Sequence, residues 1–301
     1  MKSTTVRRVG LSIAVVTTLS GAAACSSSAG AGKDDKASGK GATHVSPIAA
    51  LRTAEKSTDG ADSAKVESTT TMGALMSMKA DGALGWADGL TGNLTITYTG
   101  GTMADTMRQL GTTSMQARYL PDAYYAKMGE KFAEQAGGRH WIRYGYADLA
   151  DLGGGSGAYL KDQMQNTTPN QSVKLLLASG DVKKAGTEKV RGVNTTHYAG
   201  TVDVADLAGK NSSLTASQLA GLKKQLTQAG VTTETVDIWV NDQDLLVKKT
   251  EKGRMSAGEY IQTAYYSDYG VKVSVTKPPA SDTEDFKNLL KKQGGGLGTT
   301  S

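Results

Sequence analysis

The chain has 301 residues with a single cysteine and two phenylalanines, and its 34 basic and 29 acidic side chains give a formal charge of +5. Lys2, Arg7 and Arg8 all lie in the first ten positions, and without them 31 basic residues face 29 acidic ones, a net +2. So even a balance excludes the clustered basic excess of a nucleic-acid-binding protein, and one cysteine excludes a disulfide framework. The pairs Lys223-Lys224, Lys248-Lys249 and Lys291-Lys292 read as solvated faces.

The basic start leads into an apolar run from Val9 to Leu19, then Ser20-Gly21-Ala22-Ala23-Ala24 and Cys25. That order is similar to a bacterial lipoprotein signal: residues 1–24 would be removed, and Cys25 would carry diacylglycerol as the new N-terminus. Ala22 stands where such signals usually carry Leu, Val or Ile. The alternatives are an ordinary signal cut near Ala24 or a core thiol. An apolar run of about 11 residues is too short to span a bilayer permanently. Arg7-Arg8 leaves the twin-arginine export route open beside the general one. The expected location is the extracytoplasmic face of the cell membrane, held by lipid.

From Ser26 to Thr43 there is no large apolar side chain, so this stretch is expected to be a disordered tether. Its root-mean-square reach is about 25 Å. Ser46-Pro47 then marks a helix start, with Ile48, Leu51 and Ala54 as an apolar stripe ending near Gly60. Beyond Gly60 the chain is mostly strand. Leu94, Ile96 and Tyr98 alternate with threonines, and Val271, Val273 and Val275 alternate with Lys272, Ser274 and Thr276. Val236, Ile238 and Val240 share a phase, with Trp239 on the opposite one. Further strands are expected near 62–78, 82–88, 112–120, 122–128, 139–144, 181–190, 193–204, 245–252 and 258–267. Turn signals at Asp88-Gly89, Arg191-Gly192, Asn241-Asp242 and Tyr269-Gly270 separate neighbouring runs, as in an antiparallel meander.

Two later helices have start signals. Thr168-Pro169-Asn170-Gln171 is a capping box ahead of Val173, Leu176 and Leu177, stopping at Gly180. Thr215-Ala216-Ser217-Gln218 is a second, ahead of Leu219, Leu222 and Leu226. Both stripes read as helices lying on a sheet. Gly153 to Gly157 is a loop, and a short helix around Phe286, Leu289 and Leu290 precedes a disordered end. With no second linker, one α+β domain is expected over 46–280, flanked by the tether at 25–45 and the tail at 281–301.

Motifs that would carry chemistry are missing. Ser156 has Gly154 before it but Ala158 after it, so the hydrolase elbow is incomplete. Gly153 to Ala158 matches a loose dinucleotide-binding pattern but follows no buried strand. His44, His140 and His197 lack partners at metal-ligand spacing, and Asn241-Asp242-Gln243-Asp244 reads as a hairpin turn rather than a calcium site. No cofactor, metal or catalytic residue is assigned, and no enzyme activity is expected.

The C-terminal half has a distinctive order: His197-Tyr198-Ala199-Gly200-Thr201-Val202-Asp203, the Thr215 helix, Val236 to Asn241, Leu245 to Lys249, then Tyr266-Ser267-Asp268-Tyr269-Gly270 and Pro278-Pro279. Together with Trp141-Ile142 after a short polar helix, and the Pro169 helix before the Val182 strand, this order resembles the LppX and LprAFG family of actinobacterial lipoproteins. The resemblance covers roughly 46–279. It implies a fold like LolA and LolB: a strongly bent antiparallel sheet, an open half-barrel, with helices over its concave face and an apolar cavity between. It also implies binding or transfer of a lipid or lipidated glycan. On the strand phases, Trp86, Leu94, Ile96, Met115, Tyr119, Ile238 and Val240 should face the concave side and are the candidate ligand-binding residues. Met72, Met76, Met78, Met103 and Met107 offer adaptable lining where phenylalanine is scarce. The alternative is a structural or signalling lipoprotein with a filled core and a protein partner.

Overall fold

The computed structural model describes residues 46–150, 161, 164, 168–203, 230, 232–256 and 258–292. The signal segment, Cys25, the tether, the glycine-rich loop at 153–157 and the expected helix of Leu219, Leu222 and Leu226 lie outside the described residues.

Helix α1 (Pro47–Asp59) begins as its sequence signal requires. The Ser46 hydroxyl accepts from the Ala49 amide at 3.2 Å, and Pro47 takes the first helical position. Six strands then run in chain order, each beside the last: β1 (Ser63–Met72), β2 (Met76–Gly85), β3 (Thr91–Gly100), β4 (Ser114–Leu120), β5 (Ala123–Lys127) and β6 (Trp141–Gly145). Short helices α2 (Gly101–Gln109), α3 (Glu130–Gln135) and α4 (Tyr146–Ala150) punctuate them, and α5 (Asn170–Ser179) comes next among the described helices. A second meander comprises β7 (Lys183–Val190), β8 (Val193–Asp203), β9 (Thr233–Asn241), β10 (Leu246–Met255) and β11 (Gly258–Ser267). Strand β11 pairs with β1, so the two meanders join into one twelve-stranded sheet whose end strands, β7 and the short β12 (Thr283–Asp285), do not meet. The last described element is α6 (Phe286–Lys292).

The result is an open half-barrel. Bulges at Ser77/Met78, Lys184/Gly186 and Leu246/Lys248 add local bend and twist. Gly82 on β2, at φ 151°, pinches against β3: a Cβ there would stand 2.0 Å from the Asn93 carbonyl oxygen. The inner face is covered by α1, through Leu51 and Ala54, and by α5, through Val173, Leu175 and Leu176. Helix α5 reaches β8 because Gly200 carries no side chain, since a Cβ would meet the Asp181 carbonyl oxygen at 2.1 Å and the Leu176 side chain at 2.6 Å.

Four expectations need correction. The strand expected at 62–78 is two strands joined at Gly73, where φ is 48° and the chain turns before Met76. Thr168 makes no side-chain cap on α5; its carbonyl accepts from the Gln171 amide instead, although Gly180 ends the helix in the left-handed conformation at φ 71°. Segment 271–279 pairs with no strand. It is an extended strap across the outer face, held as Ser63, Asn93 and Arg118 donate from their side chains to the carbonyls of Val271, Ser274 and Thr276. Its alternation reflects one-sided contact, not a ladder. Finally, the sheet is not wholly antiparallel, because β12 runs parallel to β6.

Candidate functional site

Pairing registers align side chains into rungs across the sheet, and alternate rungs face inward. One inward rung runs Tyr266, Val66, Gly82, Leu94, Ala117 and Ala126 from β11 to β5. The next runs Tyr198, Ile238, Lys249, Ala264, Ser68, Ala80, Ile96 and Met115 from β8 to β4. Leu94, Ile96, Tyr119, Ile238 and Val240 are buried in a single apolar cluster, with Trp86 and Met115 half-buried against it. All seven candidates therefore share one face. Trp86 is fixed there by its indole N–H, which donates to the Asp59 carbonyl at 3.0 Å, and by an edge-on contact with Tyr269.

Toward β6 the inner face becomes aromatic. Tyr119 and Tyr124 rings lie 5.0 Å apart, Tyr124 and Tyr144 5.7 Å, and Tyr144 meets Phe286 of α6 at 4.7 Å. Burial pushes the phenols of Tyr119 and Tyr144 up to about 12 and holds that of Tyr124 well above its ordinary value, so these groups stay neutral. The buried Tyr146 hydroxyl has no hydrogen-bond partner among the described residues.

Between the apolar rungs lies a polar island. Lys249 Nζ donates to Ser172 Oγ at 2.8 Å and to Glu251 Oε1 at 3.1 Å, and the Ser172 hydroxyl also donates to Glu251. Lys249 is 8% exposed and Glu251 and Glu234 5% each, so all three are withdrawn from water. Glu234 on β9 is diagonal to Glu251 on β10, since Gly253 opposes Glu234 and Val236 opposes Glu251. Burial, then the Glu251 charge, hold the Glu234 carboxyl well above its ordinary range; Lys249 opposes this only in part. The rung of Glu251 continues through Gln262, whose amide donates to Thr70 at 3.3 Å, to Met78 and Tyr98. Lys249 thus corrects the reading of Lys248-Lys249 as a solvated pair. The missed signal is phase: Glu234 alternates in step with Val236 and Ile238, which puts a carboxyl among core residues.

The outer face carries different chemistry. Trp239 stacks on His197 at 4.2 Å, with the Lys248 ammonium 3.8 Å from its ring centre, and its N–H donates to Glu188 at 2.5 Å. His197 also bonds Asp237 at 2.7 Å. His140 bonds Asp282 through Nδ1 at 2.7 Å and Glu130 through Nε2 at 3.2 Å, which ties the end of the strap to the α3–β6 region. Both histidines have hydrogen-bonded partners, and Asn241 Oδ1 caps the β9–β10 turn by accepting from the amides of Gln243 and Leu245. Among the described residues no helix is long and apolar enough to cross a membrane.

No family model matches the chain. Among solved structures, LprF from Mycobacterium bovis is 15% identical with a TM-score of 0.46, covering 77% of this chain and 96% of that one. The lipoprotein LppX from Mycobacterium tuberculosis is 17% identical with a TM-score of 0.46, covering 76% and 98%. Both bear names from the group that the C-terminal order resembles. Much nearer in sequence is an uncharacterized 31.2 kDa protein of Streptomyces griseus, 62% identical over 85% of each chain. A Streptomyces coelicolor protein that carries the name "Putative lipoprotein SCO4650" is 52% identical over 98% of this chain and 100% of its own length. With identity of that order over nearly its whole length, the chain belongs to the family of these two Streptomyces proteins.

Proposed function

We propose that this protein is a membrane-anchored lipoprotein of the cell envelope that binds or transfers a lipid or lipidated glycan along the concave face of its half-barrel. The observation that carries the reading is the inner wall of β2 to β5. There Leu94, Ile96 and Tyr119 are buried with residual exposure of 8–9%, and Met78, Tyr98 and Met115 are only half-buried. An apolar wall under helices, incompletely closed by its own side chains, suits a hydrocarbon chain. Each methylene withdrawn from water would contribute about 0.8 kcal/mol. The signal ending at Cys25 and the lipoprotein name of the Streptomyces coelicolor relative support the anchor. In this reading residues 1–24 are the signal, 25–45 the tether and 46–280 the binding domain.

A fluorescent acyl-chain probe tests the proposal. Wild-type protein should bind it, and Ile96→Trp should obstruct uptake while keeping the fold. A parent protein that takes up no probe, with both Ile96→Trp and Ile238→Trp strongly destabilised, would sink the lipid reading and favour a filled core with a protein partner.

A further inference from the structure

Lys249 has one close carboxylate, Glu251, and Ser172 bridges the two. Two acids with one ammonium leave a carboxyl uncompensated. That group is Glu234, which accepts no hydrogen bond from any described residue although it is 5% exposed. A buried carboxyl without a counter-ion takes up a proton, and a protonated carboxyl is a strong hydrogen-bond donor. Its neighbour across the strand pair is Gly253. Among the described residues a Cβ at Gly253 would meet only the Thr233 carbonyl oxygen at 3.4 Å and a Tyr260 ring carbon at 4.0 Å, so these residues leave room beside the acid. From the island one rung leads through Thr70 and Met78 to Tyr98, onto the incompletely closed wall.

We propose that Glu234 is a recognition group for acyl esters: as the neutral acid it donates a hydrogen bond to the carbonyl oxygen of an ester whose hydrocarbon chain lies along β1 to β4. The proposal rests on the lipid-binding reading above and adds a chemical class to it. An ester carbonyl accepts without bringing charge into the site. An ether lacks the carbonyl acceptor, and a free fatty acid would set a second carboxylate against Glu251. Among the described residues, the charges that act on Glu234 are those of Glu251 and Lys249 on β10; the uncharged Ser172 of α5 bonds those two, and the phenol-bearing Tyr260 of β11 lies across Gly253 from Glu234. The raised titration of Glu234 agrees with a donor present at neutral pH.

The test uses full-length protein with Cys25→Ser, and competition against a bound fluorescent acyl probe. The competitors are a monoacylglycerol and the monoalkyl ether of the same chain length. The ester should displace the probe at about tenfold lower concentration than the ether, the ratio expected for one buried hydrogen bond. Glu234→Ala should erase that preference, while Glu234→Gln, whose amide still donates, should keep it. The wild-type preference should fall as rising pH ionises Glu234, and the Gln variant should stay flat. Equal displacement by ester and ether, with the probe bound normally, would overturn the ester assignment and leave the lipid reading standing. No probe binding at all would overturn both.

Discussion

Ile238 on β9 and Ile96 on β3 lie in the same inward rung, five strands apart, yet Ile238 is 0% exposed and Ile96 8%. Around Ile238 the helix α5 is seated directly on β8 and β9, with Val173, Leu176 and Val236 all fully buried. Around Ile96 the wall is completed by half-buried Met78, Tyr98 and Met115. One half of the sheet is a conventional close-packed core. The other carries an apolar face on which Met78, Tyr98 and Met115 stay half-buried, the face that the proposed lipid binding would use.

The largest expected effect comes from the boundary between the halves. Lys249→Ala would strand Glu251 in the interior, and losing one partner of a buried pair costs about 3–5 kcal/mol. Equilibrium denaturation would measure this, and a loss under about 1 kcal/mol would show that water reaches the island freely. Next, Ile238→Ala should cost about 2–5 kcal/mol, and Ile96→Ala should fall at or below the lower end of that range. Equal losses would erase the distinction between the two halves.

How much of this was legible depends on what alternation means. The inward phase of Leu94 and Ile96, and of Ile238 and Val240, could be read because one face is apolar and the other wet. Lys249, read with Lys248 as a solvated pair, shares the inward phase with Glu251, and both are buried against Ser172 on a helix 79 residues from Glu251, which no local pattern reveals. Val271, Val273 and Val275 carry a strand's alternation in a strap, because contact with one side of the sheet imposes the period without a ladder. The hairpin at Gly73 was hidden because Met72, Leu75 and Met76 keep the run apolar through the turn.

A smaller effect concerns the strap that crosses the strands of the half around Ile96. Hydrogen bonds to Asp282 first and Glu130 second raise the His140 imidazole above its ordinary 6.5. A group with a raised folded value contributes stability that is full below the ordinary value and lost as pH rises through the folded one. The difference in melting temperature between wild type and His140→Gln should therefore shrink from about pH 6 to about pH 8. A difference that grows over that window would contradict a stabilising role for the bonds of His140 to Asp282 and Glu130. The smallest effect is expected from the tether: removing half of Ser26–Thr43 should leave the melting temperature unchanged, and a fall of several degrees would mean that the segment docks on the domain.

The most direct test of lipid binding is mass spectrometry of organic extracts from the Cys25→Ser protein purified from its native host. An acyl-chain compound at about one per protein is expected, depleted in an Ile96→Trp variant that folds normally. Extracts with no lipid from either protein, together with no uptake of an added acyl probe, would contradict it.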